Sequence, residues 1–345
     1  MVPCISANKK RALEAVADAR GIIAALAIDQ RQALRSLFAK AMKVEPASVP
    51  DEKLIQYKEA VSRVLTPYAS AILVDPEYGL PAAKQRAPKA GLLLAYEKTG
   101  YDDKVPGRLP NLLDHYSVQR LVDAGANCIK LLLYYSTTST PEINDKKHAF
   151  VERVGAECVA ADVPFFLELV SYAEGMDEKG PDFARVKSEV VTGGIREFSR
   201  TQYQVNVLKV GVPVNLAYVQ GSPSASSETL YSREDAIHLY RRAAEATHLP
   251  FIYLSQGVSN AAFQFALELA TEAGVKFSGV LCGRATWKDG VAALVEKGER
   301  SLDDWLGRDG VRNIQNVNRC LGSATPWFAV NKEPRRTEDQ ECLSA

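Results

Sequence analysis

Short runs of leucine, isoleucine, valine and alanine alternate along this chain with longer stretches whose apolar positions recur at helical spacing. Eight of the short runs read as strands, at 21–28, 70–74, 91–95, 127–133, 164–170, 205–210, 250–254 and 277–281. Helical stretches fall at 32–43, 51–64, 116–124, 144–161, 182–199, 232–246, 260–273 and 286–297. Ser232 with Asp235, and Thr140 ahead of Pro141, supply cap chemistry at two of them. Strands that are apolar throughout are buried on both faces, and strands joined in series by helices need right-handed crossovers and a parallel sheet. Eight such units close most simply into a (β/α)8 barrel, the TIM-barrel architecture. The second unit is the weakest, because 79–90 leaves little room for a full helix. An open doubly wound sheet is the alternative, although no G-x-G-x-x-G follows any strand. The expected organisation is a single α/β domain over 1–328 that includes a helical N-terminal extension, followed by a polar tail at 329–345.

Two of the apolar runs contain a lysine. Lys130 lies in Ala-Asn-Cys-Ile-Lys-Leu-Leu-Leu and Lys209 in Val-Asn-Val-Leu-Lys-Val-Gly-Val. Removing an ammonium from water costs several kcal/mol unless it is paired or gives up its proton. A lysine whose pKa is depressed in this way is a nucleophile toward carbonyl carbon.

Composition narrows the chemistry mainly by exclusion. The chain has 345 residues, 46% hydrophobic and 24% charged, with 42 basic and 42 acidic side chains. A zero net charge and no basic block interleaved with aromatics argue against a nucleic-acid partner. No apolar run is long enough for a membrane helix, and the first residues do not form a secretory signal, so the expected location is the cytoplasm. Cysteines 4, 128, 158, 282, 320 and 342 form no Cys-x-x-Cys pair and read as reduced thiols. His115, His148, His238 and His248 fall in predicted helices or at the start of the seventh strand, which argues against histidine acid/base chemistry and against zinc.

In a barrel of this kind the chemistry gathers where strands exit at their C-terminal ends. The exits here offer Asp29-Gln30-Arg31, Asp75-Pro76-Glu77, Glu97-Lys98, Lys130, Glu168, Lys209, Ser255-Gln256-Gly257 and Gly283-Arg284. Plainer readings stand beside the functional ones. Asp29 and Asp75 are candidate turn or cap residues, Glu97 beside Lys98 a candidate for solvated surface, and Glu168 a candidate structural ion-pair partner for either lysine. The set suits Schiff-base carbon–carbon cleavage. An amine on the sixth strand attacks a ketone, an ammonium on the fourth lowers its pKa by like-charge repulsion, and a carboxylic acid on the fifth shuttles protons. Ser255, Gly257, Gly283 and Arg284 place a hydroxyl, small residues and a guanidinium where barrels commonly hold phosphate, which points to a phosphorylated ketose. Two other classes remain open: Mg²⁺-assisted enolate chemistry on Asp29, Asp75, Glu77 and Glu97, and a non-catalytic protein that senses a sugar phosphate.

Several strings are long enough to carry a family resemblance. Ala-Ile-Asp29-Gln30-Arg31, Leu-Val-Asp75-Pro-Glu77-Tyr-Gly-Leu-Pro, Pro-Phe-Phe-Leu-Glu168, Val-Leu-Lys209-Val-Gly211-Val-Pro-Val-Asn and Gly-Val-Leu-Cys-Gly283-Arg284-Ala-Thr-Trp occur in order. With Lys130-Leu-Leu-Leu-Tyr-Tyr and Glu97-Lys-Thr-Gly-Tyr, the chain resembles the tagatose 1,6-bisphosphate aldolase family of class I aldolases over 20–328. The resemblance implies metal-independent, cofactor-free cleavage of D-tagatose 1,6-bisphosphate to dihydroxyacetone phosphate and glyceraldehyde 3-phosphate. It implies Lys209 as the Schiff-base lysine and Glu168 as general acid/base, with Asp29, Gln30, Lys130, Ser255, Gly283 and Arg284 lining the substrate. Fructose bisphosphate or a sulfonated ketose phosphate would be cleaved by the same mechanism. Gly211 departs from the family pattern, which carries an acidic residue there, and the serine-rich segment 221–229 fits it poorly. Barrels often pair through their outer helices, so a homo-oligomer, dimer or higher, is expected.

Overall fold

The computed structural model describes residues 5–99 and 105–330. Helix α1 (Ala7–Ala15) precedes the first strand, and eight parallel strands then close into a barrel in chain order. These are β1 (Ile23–Ala27), β2 (Ala71–Val74), β3 (Gly91–Ala95), β4 (Cys128–Tyr135), β5 (Phe165–Ser171), β6 (Val207–Val210), β7 (Phe251–Leu254) and β8 (Gly279–Cys282). After β1 come α2 (Gln32–Met42) and α3 (Asp51–Leu65), then one helix per strand: α4 (Leu80–Lys84), α5 (Val118–Asp123), α6 (Pro141–Ala160), α7 (Pro181–Phe198), α8 (Arg233–Ala244) and α9 (Asn260–Glu272). Behind β8 lie α10 (Arg284–Trp287), α11 (Gly290–Lys297), α12 (Glu299–Trp305) and α13 (Val311–Arg319). The eight-unit barrel read from the hydrophobic pattern is the one observed.

Local chemistry accounts for several boundaries. Thr140 accepts from the Ile143 N–H and starts α6 at Pro141, ahead of the expected position 144. Ser232 and Asp235 form a reciprocal capping box at α8. The one helix expected over 286–297 is two, broken at Lys288-Asp289. The segment holding α12 and α13 has few apolar positions, yet Leu302, Leu306, Ile314, Val317 and Leu321 are buried. Of the expected tail at 329–345, everything beyond Val330 lies outside the described residues.

Alternation along the strands divides the core in two. One cluster fills the barrel with Ile23, Ala25 and Ala27 of β1, Leu73, Leu93, Cys128, Phe166, Val207, Ile252 and Leu281. Leu13 of α1, Val16 and Trp327 belong to it and close its lower end, where the Val16 carbonyl accepts from Ser70 at the start of β2. The other cluster takes the intervening residues, among them Leu26, Ile72, Leu94, Ile129, Leu167 and Leu208, and packs them under the helices. Counting on by two from the barrel-filling residues reaches Asp29 after Ala27, Asp75 after Leu73, Glu97 after Ala95, Lys130 after Cys128, Glu168 after Phe166 and Lys209 after Val207. The polar residues are thus the next inward layer of one stack, at the C-terminal mouth.

Candidate active site

Register brings the central groups together. Lys209 of β6 is the Cα partner of Glu168 on β5, and Lys130 of β4 is the partner of Phe166, two residues below Glu168. Lys209 Nζ donates to Glu168 Oε2 at 2.8 Å. Lys130 Nζ lies 2.8 Å from the same oxygen, 2.7 Å from Asp29 Oδ2 and 2.7 Å from Glu97 Oε1. Lys130 has no exposure at all, and Lys209, Glu168, Asp29 and Glu97 are buried.

Burial opposes charge on Lys130, Asp29 and Glu168, and on these three the opposite charges outweigh it. Desolvation works against the Lys130 ammonium, but Asp29, Glu168 and Glu97 hold its pKa well above the ordinary lysine range. Desolvation would likewise raise Asp29, yet Lys130 and Lys209 keep it well below the usual carboxylate range. Glu168 is also lowered against its own desolvation, by Lys130 and then Lys209. The resting arrangement is therefore ionic: a carboxylate on Glu168 between two lysines.

Two expectations change here. Glu97 is not solvated surface: besides Lys130, its Oε2 accepts from the Leu132 N–H at 3.0 Å, and Arg31 approaches its Oε1 at 3.7 Å. The Lys130 charge, expected to act on Lys209 by like-charge repulsion, is compensated by three carboxylates, so that its direct action is to hold Glu168 and Asp29 in place. Asp75 is a turn residue, as one of its readings had it, and has a partner that was not expected. It accepts from the Tyr78 N–H in a turn and pairs with Lys58, both side chains being fully buried.

Lys58 was not singled out by sequence and Arg31 was named only as part of the first strand's exit, and together they fix that exit. Lys58 Nζ donates to the Ile28 carbonyl at 2.7 Å and the Gln30 carbonyl at 3.0 Å. Arg31 donates to Glu77 Oε2 at 2.6 Å and to the Glu97 carbonyl at 2.7 Å. The backbone on either side of Asp29 is thereby held. A signal for Lys58 was present, because on α3 it shares a face with the buried Leu54, Val61 and Leu65.

Gln30 donates from Nε2 to Asp29 Oδ1 at 3.1 Å, while its buried Oε1 finds no partner among the described residues. Ser255 is buried, and Gly257 has φ +78° with the Arg284 guanidinium directly over it: a Cβ at Gly257 would stand 2.7 Å from Arg284 Cζ. Arg284 forms no ion pair among the described residues. A Cβ at Gly283 would stand 3.3 Å from Gln30 Nε2, so the β8 exit approaches the β1 exit closely. Ser255 and Gly257 also line a cleft of about 840 Å³ that runs over the ends of β5 to β7. Of the nine residues expected to form the site, Lys130, Glu168 and Lys209 lie within their strands and the other six just beyond the C-terminal ends of β1, β7 and β8.

Comparison with known proteins gives a consistent picture. The sequence model described as DeoC/LacD family aldolase matches residues 23–289. Tagatose 1,6-diphosphate aldolase 2 of Enterococcus faecalis is 53% identical over 327 residues, covering 94% of this chain and 97% of that protein. The tagatose 1,6-diphosphate aldolase of Staphylococcus aureus (strain bovine RF122 / ET3-1) is 48% identical over 324 residues, covering 93% and 98%. Among solved structures, a fructose-bisphosphate aldolase from Slackia heliotrinireducens superposes with a TM-score of 0.56 at 15% identity, covering 92% of this chain and 94% of that one. A Schiff-base-forming fructose-1,6-bisphosphate aldolase superposes at 0.52 with 13% identity, covering 90% and 98%. At such identities the structural likeness is one of fold.

Proposed function

The chain belongs to the DeoC/LacD family of aldolases, and from that premise we propose that it cleaves tagatose 1,6-bisphosphate through a Schiff base on Lys209. Two relatives at about half identity bear the name of that activity. The observation that carries the mechanism is the Lys209 Nζ to Glu168 Oε2 contact of 2.8 Å inside a buried mouth.

Glu168, held as a carboxylate, takes one proton from Lys209 Nζ, the amine attacks the ketose C2, and a second proton passes from the nitrogen to the alkoxide to give the carbinolamine. The resulting carboxylic acid protonates the carbinolamine hydroxyl, which leaves as water and yields the iminium. Glu168 is then a carboxylate again and removes the C4 hydroxyl proton. The C3–C4 bond breaks, its electron pair moves into the iminium, and glyceraldehyde 3-phosphate departs. Protonation of the enamine at C3 and hydrolysis release dihydroxyacetone phosphate and free Lys209. Lys130 holds Glu168 and Asp29 at a fixed separation throughout. The unpartnered Gln30 Oε1 is available to a substrate hydroxyl. Ser255, Gly257, Gly283 and Arg284 receive the phosphate nearest the carbonyl, where the guanidinium carries no protein counter-charge among the described residues.

Borohydride reduction in the presence of dihydroxyacetone phosphate, followed by peptide mass mapping, tests the assignment. The expected outcome is a reduced adduct on Lys209 and none in Lys209→Met, with turnover in that variant reduced by about 10³-fold or more, as for loss of an essential nucleophile. An adduct on another lysine would overturn it.

A further inference from the structure

Lys187 stands on α7 among the buried Phe183, Ala184, Val190 and Val191, and only 6% of it is exposed. Its Nζ donates to the Val214 carbonyl at 2.9 Å and to Gln256 Oε1 at 3.1 Å. Both acceptors are neutral. Lys58, Lys130 and Lys209, buried around the mouth, each touch at least one carboxylate, whereas Lys187 touches none among the described residues. This geometry accommodates the neutral amine without loss: two N–H groups match two acceptors, and the remaining tetrahedral position goes to the lone pair. Lys187 therefore gives up its proton readily, and burial pushes its pKa down to about 8.

Two features of the surroundings decide what this amine can meet. A Cβ at Gly211, directly after β6, would stand 2.8 Å from Gln256 Nε2, so the missing side chain leaves room for an uncharged carboxamide to reach Lys187. Lys187 also lines the cleft of about 840 Å³ over the ends of β5 to β7, a space that Lys209, Glu168 and Arg284 do not border. Lys147 offers the contrast. Burial lowers its pKa to about 8 as well, but it has no exposure and gives its Nζ to the Tyr172 hydroxyl at 2.9 Å.

A neutral amine beside open space adds to an aldehyde carbonyl. The lone pair forms the C–N bond, a proton passes from nitrogen to oxygen to give the carbinolamine, and loss of water leaves the imine. No carboxyl touches Lys187 to assist that loss, so a ketone, which is less electrophilic, is not carried through as it is on Lys209 beside Glu168.

We propose that Lys187 is a second imine-forming amine of this protein, which captures aldehydes in a cleft separate from the catalytic lysine. The proposal rests on the aldolase reading only for its natural source of aldehyde, the glyceraldehyde 3-phosphate released at the neighbouring mouth.

The test incubates the full chain with glyceraldehyde 3-phosphate and cyanoborohydride near neutral pH and maps the reduced adducts by peptide mass analysis, so that Lys187 and Lys209 are read separately. Lys187 is expected to be modified about tenfold or more faster than the exposed Lys276 and Lys297. Gln256→Glu keeps the shape of the side chain but sets a carboxylate against Nζ, and is expected to slow the reaction at Lys187 by about tenfold or more by holding the amine protonated. Modification no faster than at the exposed lysines, or equally fast in wild type and Gln256→Glu, overturns the proposal. If Gln256→Glu does not fold, the pH profile of the wild type decides: the rate at Lys187 should rise up to about pH 8 and level off above it, and a rate still rising in proportion to hydroxide beyond pH 9 overturns the proposal. Capture at Lys187 together with failed trapping of dihydroxyacetone phosphate on Lys209 sinks the aldolase reading and leaves the capture site standing.

Discussion

Lys130 sets the electrostatic balance of the mouth. Three carboxylates converge on its ammonium, and without it Asp29 would lose its ion pair, Glu168 would keep only Lys209 and Glu97 only Arg31 at 3.7 Å. The depressed pKa values of Asp29 and Glu168 work in one direction. A carboxyl whose folded pKa lies below its unfolded value stabilises above the ordinary carboxylate range, and that stability is lost as pH falls through the folded pKa. The wild type therefore keeps this contribution from neutral pH down to the ordinary carboxylate range and loses it below. Lys130→Met should cost about 3–5 kcal/mol at pH 7, the usual consequence of removing one partner from a buried pair. It should also reverse the slope, because a carboxylate buried without its ion-pair partner, as Asp29 would be, binds a proton more tightly when folded, so stability rises as pH drops from 7 toward 5. Urea denaturation at the two pH values reads both effects, and a variant whose stability fell between pH 7 and pH 5 would refute this account of the site.

At the scale of elements, strand exits carry the reacting groups and helices carry the cations that steady them. Lys58 on α3 and Lys187 on α7 each occupy a position in a helix's apolar stripe, and each reaches a backbone carbonyl next to a strand exit. The strand-borne groups were legible because a charged residue in a run of Leu, Val and Ile is conspicuous at period two. The helix-borne ones were missed because a helix is expected to be amphipathic, and one lysine near an apolar stripe passes for a solvated edge. Glu97 was misread for a related reason: beside Lys98 it resembles a surface charge, while alternation along β3 turns the two in opposite directions. The β7 exit adds a backbone requirement. Gly257 holds φ +78° beneath the Arg284 guanidinium, so Gly257→Ala brings both a strained backbone, about 1–3 kcal/mol, and a displaced cation. The expected result is a KM raised about tenfold or more with a smaller change in kcat, since the residue serves binding and not the chemical step. Steady-state kinetics separate the two, and an unchanged KM would remove Gly257 and Arg284 from the phosphate site.

For the whole molecule, closure of the barrel is what turns six separate strand exits into one layer. Asp29 and Lys209 belong to strands far apart in sequence, and both come to Lys130 or Glu168 because β1 closes against β8 and the ring has a single mouth. The same closure settles how the acidic residues are used. Asp29 and Glu97 are engaged by Lys130, Asp75 by Lys58 and Glu77 by Arg31, so the positive charge that a divalent ion would bring is already supplied by side chains. Among the described residues no group of three or more His, Cys, Asp and Glu is arranged to hold a metal. Cleavage activity should accordingly survive exhaustive treatment with EDTA, within about twofold. Loss of activity restored by Mg²⁺ would favour the enolate chemistry that the four carboxylates also suggested.

The sequence by itself determined the eight strands, their parallel order and the positions at which polar groups emerge, because period-two burial and helix-length spacers leave few ways to pair such strands. The same local pattern carried the buried character of Lys130, Glu168 and Lys209. Only the tertiary structure decided which charge faces which: that Lys130 answers three carboxylates, that Glu168 stands between two lysines, and that Lys187 meets none among the described residues. The reason is physical. Burial is written in the hydrophobicity of sequence neighbours, whereas charge pairing depends on ångström-scale distances between residues that the chain keeps far apart until the barrel closes.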